Sequence, residues 1–236
     1  MNFSASSSSL KKGESFKDTV QNIEAMKIDA VVMRHPDPGA SLHLTKYVDA
    51  VVINAGDGTH EHPTQAILDM TSLQECFGKV KGLRIGIIGD IMYSRVARSN
   101  IYGLKKLGAE VILCGPTTLI PPHIDSFGVR TTHDLDEVLD WADAINVLRI
   151  QLERMDRGLF PSVREYRNLF GITSERLKKH NKEIVIMHPG PMNRGIEIDS
   201  SVADGKEAII LDQVLNGVAS RMAILYLLLG GKPENN

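Results

Sequence analysis

The sequence predicts an α/β protein whose strands lie in parallel sheets wound on both faces. Three observations predict it. Short Val/Ile-rich runs recur along the 236 residues and alternate with stretches that keep a helical beat. The β-α-β-α order implies parallel strands joined by right-handed crossovers. Hydrophobic residues make up 42% and charged residues 24%, as in an ordinary globular protein with a real core.

Taken in order, residues 1–14 read as a strand tail followed by a serine-rich loop. That loop is either a linker or an anion-binding segment, with hydroxyls at Ser8 and Ser9, cations at Lys11 and Lys12, and Gly13 for close backbone approach. Ser15 to Met26 is expected to be helical, with Phe16, Val20 and Ile23 on one face. Ile28 to Met33 is expected as a buried strand running into Arg34-His35-Pro36. Arg34 then stands where open α/β sheets place ligands, a rim salt bridge being the plainer alternative. Ser41 to Val48 reads as a short helix and Ala50 to Ile53 as the next strand.

The stretch Asn54 to Gln65, NAGDGTHEHPTQ, reads as a tight glycine-aspartate loop entering a helix. Pro63 suits the first turn, and Ile67, Leu68, Leu73 and Phe77 keep the period. His62 falls at the N-cap with Gln65 one turn on, on the same side. Polar side chains at the positive end of a helix suit a carbonyl whose oxygen gains negative charge. The plainer alternative has His62 capping the helix and Gln65 solvated.

A second unit follows Gly78. Leu83 to Asp90 reads as a buried strand opening on a glycine turn, followed by a helix with Val96, Ile101, Leu104 and Leu107 inward. Glu110 to Cys114 is the next strand, broken by Gly115-Pro116. The dinucleotide fingerprint G-x-G-x-x-G is absent, since only Gly86 and Gly89 are present and Arg95 stands at the turn; this disfavours a nicotinamide site. Leu135 to Trp141 is a short helix, and Asp143 to Leu148 a strand leading to Arg149 and Gln151. Residues 155–172 read as a long loop. Thr173 to His180 is a helix, and Glu183 to Met187 a strand ending in His188-Pro189-Gly190-Pro191, with a cis bond expected before Pro191. The last helix, Ile209 to Leu229, carries a stripe expected to face inward: Leu211, Leu215, Val218, Met222, Leu225 and Leu229.

The net charge of −2 argues against a general nucleic-acid surface. The longest apolar run, Ile224 to Leu229, is too short to span a bilayer, and the serine-rich first ten residues lack a signal-peptide core. Cys76 and Cys114 form no metal pattern, which fits free thiols in a reducing cytoplasm. No nucleophile elbow, carboxylate pair, metal cluster or cofactor motif is found. What stands out is that Arg34, Arg95 and Arg149 each follow an apolar run, and that His62 and Gln65 open a helix after another. Gathered on one sheet edge, they would hold a ligand of several negative charges. The implied chemistry is direct transfer between two anionic substrates, driven by positioning and charge.

The segments SSLKKGES, MRHPDPG, NAGDGTHEHPTQ, GDIMYSRVARSN, LRIQLER and MHPGPMNRG occur in this order. With them the chain resembles the aspartate carbamoyltransferase catalytic chains of the aspartate/ornithine carbamoyltransferase family, from near residue 2 to about residue 230. The ornithine branch shares the His-Pro-x-Gln element but would show a cysteine-bearing turn at His188–Pro191 and lacks the Lys-Lys-Gly-Glu loop. The resemblance therefore implies carbamoyl phosphate and L-aspartate as substrates. It implies that Arg34, His62 and Gln65 hold carbamoyl phosphate, with His62, in a neutral form favoured by the helix N-terminus, donating to the carbamoyl oxygen. Carbonyls of the Gly190–Pro191 turn would orient the amino groups. Arg95 and Arg149 would clamp the carboxylates of aspartate, with Gln151 assisting. Ser9 and Lys12 would reach a neighbouring subunit's site in a homotrimer with shared active sites, and regulatory or dihydroorotase chains are candidate partners.

By the same resemblance, residues 1–66 plus 210–236 form a carbamoyl-phosphate-binding domain, and 67–209 an aspartate-binding domain. Family members also carry an N-terminal helix, strand and Ser-Thr-Arg-Thr phosphate loop, and no Ser-Thr-Arg-Thr occurs here. The expectation is thus two doubly wound parallel-sheet domains, the first incomplete at its N-terminus, in a chain that starts internally. A non-catalytic relative or assembly fragment is the alternative that this departure raises.

Overall fold

The structure is a computed structural model. It describes residues 16–150, 162–180 and 182–230. The chain divides into two compact units, Met1–Glu61 with Met222–Asn236, and His62–Arg221. These boundaries differ from those expected at 66/67 and 209/210.

In the first unit, α1 (Phe16–Glu24) precedes β1 (Ala30–His35), and α2 (Ala40–Leu44) precedes β2 (Val51–Asp57). The two strands pair in parallel, Ala30 opposite Val51 and Ile53 opposite Val32, with an irregularity between Met33 and His35. Val20, Met33 and Leu44 form the core. The buried strand expected at 28–33 is only half covered: Met33 is buried, but Val32 is 63% exposed. Arg34 lies inside β1 rather than beyond its end, and its side chain is exposed. Residues 54–57, expected as loop, continue β2, and the turn comes at Gly58.

The second unit holds a five-stranded parallel sheet in the order β5-β4-β3-β6-β7. Its elements are α3 (Pro63–Phe77), β3 (Arg84–Ile88), α4 (Arg95–Lys106), β4 (Glu110–Cys114), β5 (Arg130–Thr132), α5 (Leu135–Trp141), β6 (Ala144–Val147), α6 (Val163–Phe170), α7 (Ser174–Lys179), β7 (Val185–Met187), α8 (Ser200–Ala203) and, up to Arg221, α9 (Ile210–Leu228). Alternation along the strands feeds both faces. Ile85 and Ile87 join Val111 and Leu113 under α3 and α4, with Leu73, Ala97, Ile101 and Leu104. Ile88, Ile112, Ile145 and Ile186 face the other way, under Leu135, Val138 and Leu139 of α5 and Tyr166 and Phe170 of α6. A parallel sheet buried on both sides reads as continuous Val/Ile runs, which is how these strands announce themselves.

Gly86 sits mid-strand because α5 crosses it: a Cβ there would meet Val138 Cγ1 at 2.5 Å. Gly89 ends β3 with φ +126°, a region that favours glycine, and its carbonyl lies where a Cβ on Gly115 would meet it at 2.4 Å. The two glycines that might have begun a dinucleotide fingerprint therefore serve close packing.

Three further expectations fail. The loop at 155–172 contains α6: Ser162 Oγ accepts from Glu165 N at 3.1 Å, and Tyr166 and Phe170, one turn apart, are buried. Leu107, expected inward, caps the C-terminus of α4 and is exposed. The stripe of α9 points the wrong way. Leu211 is 81% exposed, and Leu215, Val218, Met222, Leu225 and Leu229 are exposed too, while Gln213, Asn216, Gly217 and Ser220 are buried. That polar face binds α3: Asn216 Nδ2 donates to Ser72 Oγ (3.0 Å) and Glu75 Oε2 (2.7 Å), and a Cβ on Gly217 would meet Leu68 Cδ2 at 3.3 Å. Hydrogen bonds and a close glycine approach outcompete the leucines for this seam.

Candidate active site

In the second unit the strand order reverses between β3 and β6, since the chain runs outward through β4 and β5 and then returns to β6 and β7. Open α/β sheets bind ligands outside the carboxyl ends of their strands at such a switch point. Beyond β3, Asp90 Oδ1 accepts from Tyr93 N (3.0 Å), and Ser94 Oγ caps α4 by accepting from Ala97 N (3.2 Å). Arg95 is the first residue of α4 and half-buried. Arg149 follows β6 and is half-buried between the buried Leu148 and Ile150. The topology thus brings both arginines to the ends of the two strands that flank the switch point.

The turn after β7 lies on the same edge. The Gly190–Pro191 bond is cis, as expected, and Gly190 has φ +64°. Gly190 N donates to His188 Nδ1 at 2.9 Å, so the ring's other nitrogen carries the proton and faces Glu197 Oε1 at 3.3 Å. Both side chains are fully buried. Asn193 Nδ2 donates to the Ile150 carbonyl at 2.8 Å, which ties this turn to the segment that carries Arg149.

The N-terminus of α3 meets the same edge, because α3 leads down to the start of β3. His62 is its N-cap, but its side chain makes no cap hydrogen bond, so the plain capping role is not the one it plays. Its backbone N–H donates to Ser99 Oγ of α4 at 2.8 Å. Gln65 is not solvated: it is 7% exposed, and its Nε2 donates to Asp69 Oδ1 at 3.0 Å. Asp69 is itself the hub of a buried cage. Gln213 Nε2 also donates to Oδ1 (2.8 Å), and Asn100 Nδ2 (2.8 Å) and Asn146 Nδ2 (3.2 Å) donate to Oδ2. Burial pushes its carboxyl up to about 6, and the four amide donors hold it from rising further.

In the first unit, two of the sequence motifs are laced together by Asp57, which is 1% exposed. It accepts from Gly39 N (2.6 Å), Asn54 Nδ2 (2.9 Å) and Glu61 N (3.0 Å), with His60 Nδ1 at 3.0 Å. Gly58 N donates to the His35 carbonyl at 2.8 Å, and a Cβ at Gly58 would meet the Pro36 carbonyl at 2.7 Å. Arg34 belongs to this unit. Burial opposes the charge on Asp57, but the bonds from Asn54, Gly39, His60 and Glu61 win, and its carboxyl lies below the usual range.

Ser9, Lys12 and Gln151 lie outside the described residues. Asp57, Asp69, Ser99, Asn100, Asn146 and Gln213 were not singled out from sequence. Asn146 carried a signal, as the one polar residue in the run Ala144–Val147, and so did Asp69, one turn from Gln65. Among the described residues, no group of three or more His, Cys, Asp or Glu side chains is placed to hold a metal ion, and no helix is long and apolar enough to cross a membrane.

Comparison with known proteins gives the family. Residues 1–75 match the family described as aspartate/ornithine carbamoyltransferase, carbamoyl-P binding domain, and residues 81–228 match its Asp/Orn binding domain. The aspartate carbamoyltransferase catalytic subunit of Gemmatimonas aurantiaca is 57% identical over 99% of this chain and 73% of its own length. That of Christiangramia forsetii is 60% identical over 97% of this chain and 74% of its own. The aspartate transcarbamoylase of Trypanosoma cruzi in complex with N-(phosphonacetyl)-L-aspartic acid superposes with a TM-score of 0.85 at 31% identity, covering 98% of this chain and 75% of that one. The catalytic subunit from M. Jannaschii gives 0.80 at 34% identity, over 95% and 74%. The chain belongs to the aspartate/ornithine carbamoyltransferase family.

Proposed function

We propose that this chain transfers the carbamoyl group of carbamoyl phosphate to the amino group of L-aspartate, giving N-carbamoyl-L-aspartate and phosphate, a step of pyrimidine biosynthesis. The observation that carries the reading is the 57–60% identity to aspartate carbamoyltransferase catalytic subunits over nearly the whole chain. The edge of the second unit supports it. The amine attacks the carbamoyl carbon, the bond from that carbon to the phosphate oxygen breaks, and the amine gives up a proton. His62, at the positive end of a 15-residue helix, donates to the carbamoyl oxygen as charge builds there. Gln65 and the Gly190–Pro191 turn hold the carbamoyl amino group, and Arg34 contributes to holding carbamoyl phosphate. Arg95 and Arg149, at the switch point, take the two carboxylates of aspartate as bidentate partners, assisted by Gln151.

Incubation with carbamoyl phosphate and L-aspartate, followed by release of carbamoyl-aspartate and phosphate, tests the reading. Release with L-ornithine in place of L-aspartate, or with neither, overturns it. The proposal extends to a homotrimer in which Ser9 and Lys12 enter a neighbouring subunit's site, which sedimentation would register as a threefold mass. A reducing cytoplasm completes it: Cys76 and Cys114 form no disulfide, and burial pushes the Cys114 thiol up to about 12, where it is inert.

A further inference from the structure

We infer that Asp69 is a positioning residue for the carbamoyl group: by collecting four carboxamide donors it fixes which end of Gln65 is left for the substrate. The inference rests on the transfer reaction proposed above.

A carboxylate accepts and cannot donate, and its two oxygens offer about four lone-pair sites. All four are matched here, Gln65 and Gln213 on one oxygen, Asn100 and Asn146 on the other. The donors come from α3, α9, α4 and β6, so the cage joins every element that frames the site edge except β3 and β7. A carboxamide has two unlike ends. Once its nitrogen is committed to Asp69, its oxygen must serve the opposite side. Turning any of the four round would aim a carbonyl oxygen at a carboxylate oxygen about 3 Å away, which is repulsive.

The fate of the four oxygens shows the polarity at work. That of Gln213 accepts from His188 N at 3.0 Å and so anchors the start of the His188–Pro191 turn. Those of Asn100 and Asn146 are buried without a partner, a loss accepted so that their nitrogens can face the acid. That of Gln65 is not among such buried unpaired atoms, and among the described residues no donor reaches it. It is an acceptor one helical turn from His62. A carbamoyl group presents an –NH2 donor and a C=O acceptor. Gln65 held in this polarity takes the amino group, and the carbonyl is left for donors such as His62. With the polarity reversed, the Gln65 –NH2 would meet the substrate –NH2.

The test is Asp69→Asn in the full chain. It keeps the shape of the side chain but puts an –NH2 where one oxygen stood, so the two amides that share that side, Gln65 with Gln213 or Asn100 with Asn146, lose their acceptor. Displacement binding compares carbamoyl phosphate with acetyl phosphate, which has a methyl group in place of the –NH2. The wild type is expected to bind carbamoyl phosphate more tightly than acetyl phosphate. In Asp69→Asn carbamoyl phosphate should weaken by about tenfold, with acetyl phosphate changed by less than about twofold. Gln65→Met should give the same pattern, and the double variant should lose no further preference, because both changes remove one acceptor. An unchanged preference in both Asp69→Asn and Asp69→Leu, the second of which removes both acceptor oxygens, or losses that add in the double variant, overturns the inference. A second readout needs no ligand: the Nε2 protons of Gln65 should exchange slowly in the wild type and faster in Asp69→Asn by NMR, and equal rates overturn it. A wild type that binds but transfers nothing to aspartate would sink the proposed function alone.

Discussion

Gly86→Ala adds one methyl group to the central strand of the second unit. The new Cβ would lie 2.5 Å from Val138 Cγ1, 3.2 Å from Ile145 Cγ2 and 3.7 Å from Ala142 Cβ. The first of these distances is far inside van der Waals contact. Val138 is fully buried on α5, and a helical valine has one strongly preferred rotamer, so it cannot swing aside. Helix α5 must lift from the sheet instead, and overpacking of this kind costs about 1–3 kcal/mol. Gly86 does not have positive φ, so alanine is tolerated by the backbone and regains about 0.4–1 kcal/mol by restricting the unfolded chain. The net loss, centred on about 1 kcal/mol, corresponds to a fall in Tm of roughly 2–4 °C for a unit of this size. Calorimetry and urea titration read it. Val138→Ala in the same chain should recover about 1 kcal/mol relative to the sum of the single changes. A Gly86→Ala protein with unchanged or raised Tm, or one that lost binding of a dinucleotide at unchanged stability, would refute the packing role given to this glycine.

Other outcomes follow from the charges. The Asp69 carboxyl is raised from 3.8 in the unfolded chain to about 6 when folded, so the folded chain holds a proton that the unfolded chain has lost between those values. Its contribution to stability therefore falls as pH rises from about 4 to about 6, by roughly 3 kcal/mol, and the wild-type-minus-Asp69→Asn difference in urea midpoints should shift by that amount across the window. Asp57 is shifted the other way. Asp57→Asn should destabilise the first unit by about 1–3 kcal/mol at pH 7, a difference that fades as pH falls below about 4, as followed by hydrogen exchange of β1 and β2. Arg149→Ala should raise the KM for aspartate about 100-fold or more while calorimetry finds carbamoyl phosphate binding unchanged. His62→Ala should lower kcat about 100-fold with little change in KM, because its bond tightens in the transition state.

Much of the second unit was legible because a doubly covered parallel sheet writes itself as apolar runs. Glu110–Cys114 and Leu135–Trp141 appear with the bounds read from sequence, and two prolines around a glycine marked the turn in which the bond before Pro191 is cis. Periodicity failed where it was asked to say which side of a helix is inside. Helix α9 has a good leucine stripe, yet the partner face of α3 offers Asp69, Ser72 and Glu75, and the amides of Gln213 and Asn216 answer them. Helix α6 was missed because two buried aromatics among charged residues make a thin stripe, although Ser162 and Glu165 marked its start. At the site, the arginines and His62 were visible as types that suit acidic substrates. The Asp69 cage was not, because its members are scattered from 65 to 213 and only folding makes them neighbours.

The seam between α3 and α9 acts as a ruler. Leucine pairs tolerate sliding, since one methyl group replaces another with little loss. Here a shift of α9 by a single turn, about 5.4 Å, would unseat Gln213, Asn216 and Ser220 from their partners at once. Gln213 also grips the backbone of His188, so the axial setting of one long helix is copied onto the turn that ends in Pro191.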